Sequence, residues 1–472
     1  MFAKRTTTII NSSARSSTMM IESNEEGAYL KVISLIGVLI LVTISFGEDK
    51  VGLVLSGGGG RGAYEIGVWR ALIDLDINIG GVYGTSVGSI NGAAVAMGDY
   101  ETARDLWLSI DYEQVMKLSP ELMAVFERDW DKLSFSNTSR AIRELIAQSG
   151  IDVTPLREKL NSLVDEDKIR NSGTDYGLVT YSVSKLKPAS LYIDEIPEGH
   201  LVDYILASSN LPVFQKEEID GKRYLDGGIY SNLPIEMAKQ RGFKTIVAVD
   251  IGSYGITDVR AMLDVYANDE INIVYIKTQK HYGSILTFDP EVSLKYMKAG
   301  YLDALKAYGV LQGDDYYIYG PSDVIGEVFL KLTPRDRAEA LEILGIKAVD
   351  LAPPEYHYYT QLLPRIEGVT RLRGTPPDLS VTKLLEEIAS LMELEILRPY
   401  SPAELVQEIV RRSNDGQFDP DLISMISRIR YSGFLEFLVF IWDKEIDGSI
   451  TTREGYDRII ETFSEFKLPS QN

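Results

Sequence analysis

The chain has 472 residues, 45% of them apolar and 25% charged, the composition of a globular protein long enough for two domains. A formal net charge of −21 argues against a nucleic-acid partner, whose phosphates need a basic face, and limits contact with anionic lipid to apolar or locally basic surface. The absence of cysteine excludes disulfides, thiolate metal sites and cysteine nucleophiles.

Near the N-terminus, Lys31 precedes a weakly polar-to-apolar run from Val32 to Phe46, which ends in Ser45-Phe46-Gly47 before Glu48-Asp49-Lys50. The run is shorter than the roughly 20 residues of a membrane span and suits the core of a secretory signal. The stretch before it is long for a signal and carries Glu22, Glu25 and Glu26. Residues 1–47 are therefore read as an export leader, with an uncleaved single-helix anchor as the rival and a buried core helix as the third reading. The expected location is periplasmic, secreted or anchored.

Val51 to Leu55 is continuously apolar, as in a strand buried on both faces. The run Gly57-Gly58-Gly59-Gly60-Arg61-Gly62 follows, then helical spacing from Ala63 to Leu75 through Ile66, Val68 and Leu72. A short strand near Gly81–Tyr83 leads into Gly84-Thr85-Ser86-Val87-Gly88 and a helix of small residues to Met97. This alternation predicts an α/β fold with a mainly parallel sheet and a site at the strand ends.

Residues 100–175 read as mainly helical, with Trp107, Leu108, Val115, Met116, Leu156, Leu160 and Leu163 facing a core. Strands are predicted at Gly177–Val183 and Ser190–Ile193, then a helix from Leu201 to Ala207. Asp220-Gly221 between strand-like runs signals a hairpin that returns to Asp226-Gly227-Gly228. A helix opened by Pro234 and ended by Gly242, strands at Thr245–Val249, Asn272–Ile276 and Ile285–Thr287, and a helix near Ser293–Tyr308 complete a domain over 48–320.

Residues 321–472 read as a separate, mainly helical region. Thr333-Pro334, Ser401-Pro402 and Asp419-Pro420 each set a capping side chain before a proline at the first helical position. Pro353-Pro354 and Pro376-Pro377 punctuate the connections.

The Gly-x-Ser-x-Gly form at Gly84–Gly88 places Ser86 on a strand-to-helix elbow, at the positive end of a helix dipole. Its hydroxyl needs a base. Gly57 to Gly60 can turn successive N–H groups toward an oxyanion, and Arg61 can either meet an anionic substrate group or hold the loop. A phosphate loop is the competing reading of the glycine run, but no Gly-Lys-Ser/Thr closes it. None of the three histidines, His200, His281 and His357, lies in a motif that would bring it to Ser86. Asp226 is the better-placed base, provided burial or a tight hydrogen bond to Ser86 raises its basicity. A turn carboxylate bonding its own backbone is its bland reading.

These three motifs, in this order, resemble the patatin-like phospholipase family and its bacterial members, and Ala207-Ser208-Ser209-Asn210-Leu211-Pro212 resembles a further block of that family. The likeness spans roughly residues 51–310 and leaves 320–472 unexplained. It implies a three-layer α/β/α fold and a lipid acyl hydrolase of phospholipase or lysophospholipase type that works through an acyl-enzyme. It also implies Ser86 as nucleophile, Asp226 as proton acceptor, backbone N–H groups around Gly58, Gly59 and Arg61 as oxyanion donors, and no cofactor. The expected substrate is a lipid ester at a membrane interface. Two alternatives stay open: a non-catalytic lipid-binding scaffold of the same fold, and an α/β-hydrolase with a Ser–Asp–His triad.

Near the C-terminus, Asp443, Glu445, Asp447 and Glu454, with Gly448 between, follow the spacing of a calcium loop flanked by apolar helical runs. An Asp-Gly turn between two helices is the other reading.

Overall fold

The computed structural model describes residues 50–118, 150–215, 217–219, 221–252, 271–415, 425–444 and 454–469. The 1–47 segment, Asp419-Pro420 and, of the expected calcium loop, Glu445 and Asp447 lie outside them. Among the described residues no helix is long and apolar enough to cross a membrane.

The chain starts with strand β1 (Val51–Leu55), helix α1 (Ala63–Asp74), β2 (Ile79–Thr85) and α2 (Val87–Met97). Helices α3 (Tyr100–Ser109), α4 (Tyr112–Val115), α5 (Thr154–Leu163) and α6 (Glu166–Asn171) precede β3 (Asp175–Ser182) and β4 (Lys187–Tyr192). Then come α7 (Leu201–Ser208), the hairpin β5 (Glu217–Ile219) and β6 (Lys222–Asp226), α8 (Ile235–Gln240), β7 (Thr245–Asp250), β8 (Asn272–Lys277) and α9 (Pro290–Ala307).

Strands β3, β2, β1, β7 and β8 run parallel in that order, while β4 and β6 both join β3 antiparallel and β5 extends β6. Helices cover both faces, so alternate residues of β1 serve different cores. Leu53 and Leu55 pack under α1, α2 and α9, and Val54 faces a smaller cluster with Leu233 and Met237 beside α8. That division is why β1 reads as an unbroken apolar run rather than an alternating one. Leu156 and Leu163, expected in the core, are only partly buried, and Leu156 lines a cavity instead.

Ile285–Thr287 is not a strand. Thr287 N donates to Ser284 O at 3.1 Å and Ser284 N to Thr287 Oγ1 at 3.0 Å, which curls the segment into a turn. Its carbonyls face the glycine loop rather than a neighbouring strand.

The helices α1 and α9 cross at two glycines. A Cβ on Gly67 would stand 1.9 Å from Met297 O, and one on Gly300 would stand 2.0 Å from Tyr64 O. Next to this crossing, Tyr64 and Tyr317 each donate a 2.7 Å hydrogen bond to the carboxylate of Asp303.

Tyr317 belongs to a small sheet of β9 (Leu311–Gln312), β10 (Tyr317–Tyr319) and β11 (Pro399–Tyr400) that leads into the helical region. There follow α10 (Val324–Phe329), α11 (Pro334–Ile343), α12 (Pro354–His357) with a π turn to Leu362, α13 (Leu363–Thr370), α14 (Pro377–Leu391), α15 (Pro402–Asn414), α16 (Met425–Asp443) and α17 (Glu454–Glu465). Thr333 and Ser401 cap their helices as expected, Ser401 with Glu404 in a reciprocal capping box. The two Pro-Pro pairs also open helices, the second proline of each at the first helical position.

A second core, containing Phe329, Tyr358, Leu384 and Phe437, begins at Tyr316. The last helix, α17, returns to the first. Ile459 and Phe466 join its core, Phe466 meets Tyr301 edge-on at 5.3 Å, and Arg70 pairs with Glu465 at 2.9 Å.

Because neither backbone can retreat at the α1–α9 crossing, Gly300→Ala is expected to destabilise the protein by about 1–3 kcal/mol or more. Urea unfolding measures this; a midpoint equal to that of the parent protein would show that the helices are not in close contact.

Candidate active site

One edge of β3 is occupied by β4 from Gly177 to Ser182. Along the other edge β2 pairs as far as Thr85 opposite Val179, and β6 takes over with Asp226 opposite Thr180. The residue after Thr85 is Ser86. The changeover of partners thus brings Ser86 and Asp226 together, although 140 positions separate them in the chain.

Ser86 adopts φ 54° and ψ −127° between β2 and α2. Such a conformation costs a non-glycine residue about 1–3 kcal/mol and is held by its surroundings. The flanking glycines are sterically required: a Cβ on Gly84 would stand 2.1 Å from Gly88 O, and one on Gly88 would stand 2.5 Å from Leu55 O. Ser208 stabilises the turn from α7, since its hydroxyl accepts from Ser86 N at 3.0 Å and donates to Val179 O at 2.6 Å. The block containing Ser208 stood out in the sequence, but its bond to the elbow did not.

The glycine loop ends in a short 3-10 turn, Gly59–Gly62. Gly60 N donates to Ile285 O at 2.8 Å, Arg61 N to Gly58 O at 3.2 Å, and Gly57 N to the Asn232 side chain at 3.1 Å. Asn232 Nδ2 returns a 3.2 Å bond to Gly57 O, so this buried amide ties the loop to the segment after Asp226. No reading of the sequence singled out Asn232. Among the described residues the amides of Gly58 and Gly59 have no acceptor, which leaves them available as donors. Gly59 needs its φ of +55°, and a Cβ there would stand 2.0 Å from Ile285 O. Of the two readings of Arg61, the one that holds the loop describes the bonds present. Its guanidinium donates to Gly252 O at 3.1 Å and Gly283 O at 3.3 Å.

Asp226 is 3% exposed and Ser86 7%. Asp226 Oδ1 accepts from Gly228 N at 2.7 Å, and Oδ2 is buried without a donor in full hydrogen-bonding geometry. Burial pushes the carboxyl up to about 6, while the Ser86 hydroxyl and the Gly228 amide pull it part of the way back. Gly227 and Gly228 are required by contact as well: a Cβ on Gly227 would stand 2.2 Å from Val179 O, and one on Gly228 would stand 2.8 Å from Asn232 Oδ1.

No histidine is among the groups that set this ionisation. His200 meets Asp203 at 3.1 Å at the surface, and His357 bonds Val349 O at 2.9 Å in the helical region. His281 packs against Gly252, the residue whose carbonyl Arg61 holds.

Ser86 opens onto an apolar cavity of about 70 Å³ walled by Trp107, Ile110, Leu160, Leu211, Phe214 and Phe288. Trp107 is fixed from behind by a buried relay. Its Nε1 donates to Asn91 Oδ1 at 3.0 Å, and Asn91 Nδ2 donates to Gly62 O and to Glu65. Glu65 is fully buried, and burial holds its carboxyl well above the usual range.

Residues 53–239 match the family model described as patatin-like phospholipase. Over residues 53–239 the chain is therefore similar to a patatin-like phospholipase domain. Human patatin-like phospholipase domain-containing protein 6 is 27% identical over 214 residues, which are 45% of this chain and 14% of that protein. The lysophospholipase NTE1 of Kluyveromyces lactis is 31% identical over 211 residues, 43% of this chain and 13% of that one. The chain thus matches only about one seventh of the length of these mammalian and fungal relatives. Among solved structures, VipD from Legionella pneumophila aligns with a TM-score of 0.35 at 14% identity, over 90% of this chain and 89% of that one. The type III effector ExoU aligns at 0.27 and 13%, over 83% and 78%.

In this patatin-like domain the raised carboxyl of Asp226 has a thermodynamic signature. A carboxyl raised in the folded state favours folding below the unfolded pKa of about 4, and that contribution is lost as pH rises to about 6. Asp226→Asn keeps an acceptor for Gly228 N without the buried charge. The variant is therefore expected to gain roughly 2–3 kcal/mol on the parent between pH 4 and pH 7. Urea unfolding at both pH values checks this, and a pH-independent difference would contradict it.

Proposed function

We propose that the protein is a serine lipid acyl hydrolase in which Ser86 is the nucleophile and Asp226 its general base. The observation that carries the reading is the meeting, at the split edge of β3, of a strained elbow serine with a buried aspartate whose basicity burial has raised. The family match of residues 53–239 and the lysophospholipase names among the relatives support a lipid ester as substrate.

In this mechanism the acyl chain enters the apolar cavity and the ester carbonyl rests above Ser86. Asp226 takes the hydroxyl proton as Ser86 Oγ bonds to the carbonyl carbon. The resulting oxyanion is met by the N–H groups of Gly58 and Gly59, with each donor worth roughly 3–4 kcal/mol in the transition state. The C–O bond to the alcohol breaks, and the alcohol leaves with the proton that Asp226 returns. Water, deprotonated by Asp226 in turn, then releases the fatty acid from the acyl-serine. A carboxylate can do the work usually given to histidine here because its pKa lies near the working pH. Residues 1–47, as leader or anchor, would bring the domain to a lipid surface.

Ser86→Ala and Asp226→Asn are each expected to lower kcat on lysophospholipid by about 10⁴-fold, whereas replacing all three histidines leaves it within an order of magnitude. A fluorophosphonate probe should label Ser86 and no other residue. In the parent enzyme kcat/KM should fall below about pH 6, as Asp226 takes up a proton. Loss of activity on replacing His281 alone, or an unlabelled Ser86, would refute the dyad.

A further inference from the structure

The cavity beside Ser86 contains one feature that the dyad does not use. Helix α5 contributes Leu156, Leu160 and, between them, Lys159 to its wall. Lys159 is the only charged side chain among the described residues that line the cavity. Its neighbour Arg157 is committed to Asp203 at 2.6 Å, but no described carboxylate pairs with the Lys159 amine. In a chain of net charge −21, a cation left unpaired beside an apolar wall is unusual. A lysine stem can lie along apolar surface while its ammonium stays at the wet rim, where it offers three donors to an anion.

The orientation of the substrate follows from the wall. An acyl chain in the apolar cavity directs the alcohol portion of the ester away from the cavity's apolar lining, and Lys159, half-buried among that lining, is the described cation that can meet a charge on that portion. Resting on the acyl-hydrolase reading above, we propose that Lys159 recognises a phosphate on the alcohol portion of the substrate and makes the site selective for anionic over uncharged glycerol esters. Lys159 is a specificity-determining residue and takes no part in proton transfer.

The test uses the full chain and two esters of the same acyl length, a lysophosphatidylglycerol and a monoacylglycerol. The ratio of their kcat/KM values is expected to fall about tenfold in Lys159→Met, through KM, and to be kept in Lys159→Arg, as for loss of one partly solvated charge-assisted contact. A second arm needs no turnover. In a Ser86→Ala background, dodecyl phosphate should bind more tightly than dodecanol, and Lys159→Met should remove that preference. An unchanged ratio, equal weakening of both ligands, or no preference for the phosphate overturns the proposal. If the parent enzyme hydrolyses neither ester, the hydrolase reading fails, and the binding arm still decides the role of Lys159.

Discussion

The division of one edge of β3 between β2 and β6 governs this site. Hydrogen-bond register is discrete, so the distance between the last residue of one partner and the last residue of the other is set by the ladder and not by flexible side chains. Thr85 opposite Val179 and Asp226 opposite Thr180 leave no residue of β3 between the two chain ends. The gap in the ladder would orphan backbone groups, and side chains from α7 and β3 fill it. Ser208 serves Ser86 N and Val179 O, and Thr180 Oγ1 donates to Ala207 O and Leu225 O. The polar residues that surround the elbow are thus part of its backbone accounting.

Burial sets the ionisation of Asp226. Asp226 lies under the sheet ends with one oxygen bonded to Gly228 N and the other without a full partner, an arrangement that keeps its proton affinity high. The same physics acts on Glu65, where the amide of Asn91 is the compensating donor and burial holds the carboxyl well above its usual range. There the effect is structural: the buried carboxyl accepts from Asn91 and braces it and, through it, the tryptophan that walls the cavity.

What could be read directly from the sequence divides along a physical line. Close backbone approach leaves a local mark, because only glycine tolerates it, so the motifs at Gly57–Gly62, Gly84–Gly88 and Asp226–Gly228 were legible without coordinates. The strands and helices of the sheet domain were legible too, through continuous apolar runs and helical spacing. Partners fixed by distant chain were not. Asn232 is an unremarkable asparagine until it meets Gly57. Ile285–Thr287 has strand-like residues, but the Ile285 carbonyl is taken up by Gly60 N, and Arg61 could not be assigned a role until the carbonyls of Gly252 and Gly283 were in place. The Gly67–Gly300 crossing was equally hidden, since each glycine sits in an otherwise ordinary helical pattern.

Those distant partners bear on how the protein is made. The fasteners of the glycine loop are synthesised well after it, 175 residues later at Asn232, 191 later at Gly252 and 222 later at Gly283. At roughly 5–20 residues per second, translation separates Ser86 from its finished surroundings by about ten to forty seconds. A nascent chain that already displays Ser86 therefore lacks the partners that later hold the glycine loop beside it.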